Sequence, residues 1–265
     1  MQQLRFVQFE DWFLLRRDER ASEHFCTMLQ EDFYSAYLNS GVAFRSQWVC
    51  SIESLVAAAV EQIRPHLSYL PGLSDLLGWT GRYVPSWVHE FYSSLWIDLR
   101  HRFIHFAFRG CDYRLQSSRV REILRILESL IRLHEVCYGQ TEPLRRPHGR
   151  LVPPIDLVRP CFTEPFGEGL SRTPRDLTPT TWLLDAIMRR TLLPRMDYRE
   201  GLTQTQLWLV DYLVSQTIFD IWDVMLLEME DTLAEGFRGH HQLPYAYWIT
   251  FLLRKVVPHK SQRQW

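Results

Sequence analysis

The chain has 265 residues, a formal net charge of −1, and 46% hydrophobic and 14% aromatic residues. That is enough apolar material for a sizeable core, which excludes wholesale disorder, and enough length for one large or two small domains. The near-neutral balance argues against a dedicated nucleic-acid binder, which carries a basic excess or stripe.

All 30 basic residues except Lys255 and Lys260 are arginine. The guanidinium fork suits phosphate, but a GC-rich coding sequence explains the bias more simply, because arginine codons are GC-rich. The five cysteines, Cys26, Cys50, Cys111, Cys137 and Cys161, are odd in number and not closely paired. Free thiols in a reducing compartment are expected, not a disulfide framework or a zinc module. Leu4 to Phe13 is broken by Arg5, Glu10 and Asp11, unlike a signal peptide. No apolar run approaches the ~20 residues of a membrane span. A soluble, intracellular protein of the cytoplasm or nucleus is expected, without a membrane partner.

Residues 1–80 read as an N-terminal helical region. Ala21 to Tyr37 has helical spacing, and Ser51 to Ile63 is the clearest helix, capped by Ser51 and ending before Pro65. Leu70-Pro71-Gly72 is a turn, and Leu73 to Trp79 a short helix ending at Gly81. Residues 81–139 read as helix, hairpin, helix. Pro85 opens PSWVHEFYSSLW, whose apolar face is Val88, Phe91, Tyr92, Leu95 and Trp96. The period then changes: Ile104, Phe106 and Phe108 alternate with His105 and Ala107, Arg109-Gly110 makes a turn, and Tyr113 and Leu115 alternate again. From Ser118 a long helix is predicted, with Val120, Ile123, Leu124, Leu127, Leu130 and Ile131 as its stripe and Gly139 at its end.

Residues 140–178 change character, with seven prolines from Pro143 to Pro174, several arginines and Gly149, Gly167 and Gly169. Such a stretch reads as a linker or exposed arm, in which pieces such as Leu151-Val152 and Ile155 to Val158 can still dock. Residues 179–257 read as a C-terminal helical part. Thr178-Pro179-Thr180 starts a helix that Pro194 ends. The run from Leu202 to Phe237 then holds two helices with a break near Gln216. Thr203 and Gln206 form a capping box at its start. Tyr245 to Val256 is the last helix. The fold class expected is mainly α, an irregular multi-helix domain with one small β-hairpin and a long Pro/Arg-rich linker.

Few residues suggest chemistry. His101 and His105 have i, i+4 spacing, but Arg102 stands where a zinc protease motif needs glutamate, and the local period is that of a strand. His240-His241 reads as exposed loop. Asp220, Asp223, Glu228, Glu230 and Asp231 are the densest acidic cluster, able in principle to bind Mg²⁺ or do acid–base work. Their helical spacing makes a solvated face the plainer reading. His134 and Cys137 lack anything to orient them as base and nucleophile. Gly-rich phosphate loops are absent. Two basic pieces, LRRPHGR and RKVVPHKSQRQ, offer nucleic-acid contacts through Arg145, Arg146, Arg150, Arg254, Lys255 and Lys260. They are short and not interleaved with aromatics, so solvated linker and tail is again the plainer reading. No catalytic, cofactor or metal residue is assigned, no small-molecule substrate is evident, and an enzyme is the least expected class.

Three stretches carry a resemblance. YVPSWVHEFYSSLWIDLRHRFIHFAFRGCDYRLQSSRVREILRI (83–126), WLLDAIMRRTLLPRMDYREGLTQTQLWLVDYL (182–213) and LPYAYWITFLL (243–253) resemble the putative plant transposon protein domain family. They are also similar to the first-open-reading-frame, Gag-like products of Athila-type retrotransposons. The resemblance covers roughly residues 80 to 255 and its motifs are hydrophobic. It implies a non-catalytic structural protein that self-associates, makes protein–protein contacts and packages element RNA. The alternative is a host-co-opted interaction or nucleic-acid-binding protein using the 140–178 arm. The chain departs from a complete Gag in lacking a CxxC-type zinc knuckle, a DTG or DSG protease signature and a YxDD motif. Its short tail is what a truncated copy would show.

Overall fold

The computed structural model describes residue 35 and residues 57–77, 82–98, 102–129, 158–163, 173–189, 191–193, 201–235 and 243–257. Among these lie helices α1 (Ala57–Ser68), α2 (Leu73–Leu77) and α3 (Pro85–Ser94), strands β1 (Trp96–Asp98), β2 (Phe103–Phe108) and β3 (Cys111–Gln116), and helix α4 (Ser117–Leu124). Four more helices follow: α5 (Pro179–Met188), α6 (Gln204–Val214), α7 (Ile221–Glu235) and α8 (Ala246–Val256). The mainly helical expectation holds.

Local chemistry explains most of the boundaries. Pro85 and Pro179 occupy the first turns of α3 and α5, where a missing N–H costs nothing. Thr178 Oγ1 accepts from Thr181 N at 3.4 Å to cap α5. At α6 the capping box forms as the spacing predicts, with Gln206 N donating to Thr203 Oγ1 (3.3 Å) and Thr203 N to Gln206 Oε1 (2.8 Å). The break before α7 falls at Gln216, which has φ +55°.

One apolar cluster joins α1 to α8. Helix α7 runs through it, and every residue from Ile221 to Met229 is buried. A helix that is apolar nearly all round is expected in such a place. On one side lies α3, whose Phe91 meets Phe106 of the sheet at 4.9 Å between ring centroids. The sheet is antiparallel, in the order β1-β2-β3, with Ile104 opposite both Ile97 and Leu115. Ile104, Phe106 and Phe108 are buried on its inner face. Arg109 and Gly110, with φ +52° and +68°, make the tight turn between β2 and β3. Positive φ at both positions matches the strand twist.

Four expectations need correction. The small hairpin is part of a three-stranded sheet, because α3 stops at Ser94, Leu95 is extended and Trp96 begins β1. Helix α1 does not end before Pro65 but runs through it to Ser68. Pro65 and Glu61, whose carbonyl loses its donor, are both exposed, so water can serve that carbonyl. The long helix predicted from Ser118 stops at Leu124, and Leu127 is 44% exposed and not part of a stripe.

In its described parts, 158–163 and 173–178, the 140–178 segment docks on the helical body. Val158, Cys161, Phe162 and Leu177 pack on Leu207 and Val210 of α6. Thr178 N donates to Cys161 O (2.9 Å) and Thr163 N to Asp176 O (2.8 Å), joining 161–163 to 176–178. Last, the acidic cluster is not a solvated face: Asp220, Asp223 and Glu228 are buried and Glu230 half-buried. The side chain of Asp231 lies outside the described residues, as do residues 51–56 of the helix predicted from Ser51 and all of Ala21 to Tyr37 except residue 35.

Candidate functional site

A cleft of about 640 Å³ lies between α2, α4 and α8. Its apolar lining is Leu76, Ile123, Leu124 and Phe251; its rim carries Asp75, Arg119, Glu122, Arg125 and Lys255. The end of α4 shapes it. Arg125 N donates to Glu122 O (3.3 Å) and Ile126 N to Arg121 O (3.1 Å), the paired bonds of a Schellman stop. Arg125 therefore sits at φ +57°, where glycine is usual. Gly72 lets this stop pack closely, since a Cβ there would lie 2.4 Å from Arg125 O.

The rim charges nearly cancel. Arg119 Nη1 pairs with Glu122 Oε2 at 2.5 Å, which leaves Arg125 and Lys255 against Asp75. Arg125 and Lys255 also lie at the carboxyl ends of α4 and α8, where the helix dipole favours cations. Lys255 Nζ lies 5.5 Å from the Phe251 ring centroid. An apolar floor under a balanced rim suits a protein surface better than a polyanion.

The interior charges are spent on holding elements together. Asp220 Oδ1 accepts from Trp222 N (3.1 Å) and Asp223 N (3.3 Å), capping α7. The same carboxylate takes Arg121 of α4 through Nε (3.2 Å) and Nη2. Arg121 also reaches Glu128 at 3.5 Å, and Glu128 pairs with Arg102 at 2.9 Å. Trp222 Nε1 donates to Ser117 Oγ at 3.0 Å, fastening α7 to α4 beside the ion pair. Burial pushes the Asp220 carboxyl above the ordinary carboxylate range, with Arg121 pulling the other way. Asp185 behaves alike: burial raises it, and Arg189 opposes from 2.6 Å one turn on.

Of the sequence-derived sites, His105 stands on β2 beside the rings of Trp96 (5.0 Å) and Phe103 (4.5 Å). Burial, helped by Arg114 and opposed by Asp98 and Asp112, lowers its pKa to about 4. Among the described residues no group of three or more His, Cys, Asp or Glu could hold a metal ion. Cys111 is exposed and Cys161 buried, neither in a disulfide, and burial followed by Asp211 pushes the Cys161 thiol up to about 12. Arg254 and Lys255 are exposed on the last turn of α8. Arg145, Arg146, Arg150 and Lys260, and likewise His101, His134, Cys137 and His240-His241, lie outside the described residues.

Arg119 and Arg125, which the sequence did not single out, share the cleft with Lys255. No helix among the described residues is long and apolar enough to cross a membrane. The chain matches no protein-family model, no curated protein and no solved structure.

Proposed function

We propose that the protein is a non-catalytic, Gag-like structural protein of retroelement origin that works through self-association. The observation that supports it most is the use made of the buried charges. Arg121 with Asp220 and Arg189 with Asp185 pair inside the core, Asp220 also caps α7, and none of the four lines the cleft. Charges paired this way specify a packing arrangement. The stretches that carry the resemblance, 83–126, 182–213 and 243–253, also contribute side by side to the larger apolar cluster among the described residues. Such motifs preserve a shape and not a reaction.

The described large apolar side chains left in solvent are Leu127, Trp182 and Ile218, at 44%, 48% and 46% exposed. On this proposal they are the anchors of self-contact, aromatic and aliphatic groups being what interface centres use. Light scattering from low to high micromolar concentration tests it. The mass should climb above the monomer's 31.7 kDa; a strictly monomeric protein at every concentration would overturn the proposal.

A further inference from the structure

The turn between β2 and β3 is fastened to α3 in an unusual way. Its first residue, Arg109, is held at φ +52° with no glycine to ease it, which costs roughly 1–2 kcal/mol. Its N–H donates to Oε1 of Glu90, a buried carboxyl on α3 that is 7% exposed. Its guanidinium lies over the rings of Trp87 (4.9 Å) and Phe108 (5.4 Å), which meet edge to face at 5.5 Å. One turn further along α3, Ser94 Oγ accepts from Ala107 N (2.8 Å) and donates to Ala107 O (3.1 Å). A strained turn is thus held down at its tip by one buried acid and near its base by one hydroxyl.

We propose that Glu90 is a proton-operated latch: protonated, it stays buried and pins the Arg109-Gly110 turn to α3; ionised, it draws water and lets the turn lift from Trp87. Among the described residues, the groups facing Glu90 are Arg109 from the turn and Tyr113 from the inner side of β3, with Cys111 beside Tyr113. His105, Asp112 and Arg114 stand on the opposite side of the sheet, offset by one residue in the strand alternation. Helix α8, packed beside α3, carries no ionisable group but Tyr247 from Ala246 to Leu253. Burial outweighs the Arg109 N–H and guanidinium, and raises the Glu90 pKa to about 7. The sign follows from linkage. A carboxyl whose pKa is raised in the closed state contributes closure that is complete below the open-state value of 4.5 and is lost as pH rises through about 7.

Amide hydrogen exchange at Arg109, corrected for intrinsic rates and followed from pH 5 to pH 8 in the full chain, tests the latch. Wild-type protection should fall by roughly a hundredfold over that range. In Glu90→Gln, which keeps an acceptor without the charge, protection should stay level. A flat wild-type profile, or an equal fall in the variant, would overturn the proposal. Should the variant not fold, the carboxyl carbon shift of Glu90 in the wild type decides: a midpoint in the ordinary carboxylate range sinks the latch, and one near neutrality supports it.

Discussion

Removing the charge of Asp220 without removing its shape isolates the contact that ties α7 to α4. Asparagine is as good a helix cap as aspartate, so in Asp220→Asn the bonds from Trp222 N and Asp223 N can persist. What is lost is the charge opposite Arg121, whose side chain is only 6% exposed. Breaking a buried pair from one side costs about 3–5 kcal/mol, because the remaining charge is left unpaired. Glu128, 55% exposed and 3.5 Å from Arg121, still offers partial compensation, which places the cost near the lower end, about 3 kcal/mol. Against a total stability of roughly 5–15 kcal/mol, that is readily seen in a denaturant titration followed by circular dichroism. Arg121→Met and the double variant complete the cycle, and the double should lose clearly less than the two singles together. Asp220→Asn within about 1 kcal/mol of wild type, or strictly additive losses, would refute a buried pair at this position.

Further outcomes can be stated for the same assay. Arg125→Gly should stabilise by about 1 kcal/mol, since glycine suits the left-handed stop of α4, while Gly72→Ala should destabilise by more than about 1 kcal/mol through its clash with Arg125 O. His105 gives a pH effect opposite in sign to Glu90: its folded pKa of about 4 lies below the ordinary 6.5, so its contribution is present above pH 6.5 and is lost as pH falls through about 4. His105→Phe should flatten that acid limb, and an unchanged limb would assign it to other groups. In Trp222→Ala, loss of a fully buried ring and of its bond to Ser117 should cost about 3–5 kcal/mol.

The parts of the fold that could be read from the sequence are those set by neighbours in the chain. The Thr203–Gln206 box is three-residue chemistry, and Gln216 announced itself as a gap in an apolar pattern. The turn at Arg109-Gly110 showed as a change of period. Features set by distant partners were hidden. Nothing near Leu124 signals a stop, because the left-handed position that ends α4 is filled by arginine, and its carbonyl packs against Gly72, far earlier in the chain, where a Cβ would clash. Strand β1 has three residues, too few to show an alternation, and exists because β2 offers it an edge. The acidic residues at the head of α7 looked solvated because the partner that lets Asp220 be buried, Arg121, is 99 positions away. Of the cleft, Lys255 was visible as one of a basic run; its meeting with Arg119, Arg125 and Asp75 is a product of packing α8 against α4 and α2.

The self-association proposed for the molecule is tested most directly by sedimentation velocity on two samples at one high micromolar concentration, the wild type and Trp182→Arg/Ile218→Arg. Both substituted side chains are about half exposed, so the variant should fold normally and give the same far-ultraviolet circular dichroism. The wild type is expected to sediment faster than a 31.7 kDa monomer and the variant as that monomer. Monomeric sedimentation of both, or equal assembly of both, would contradict a contact made through these side chains.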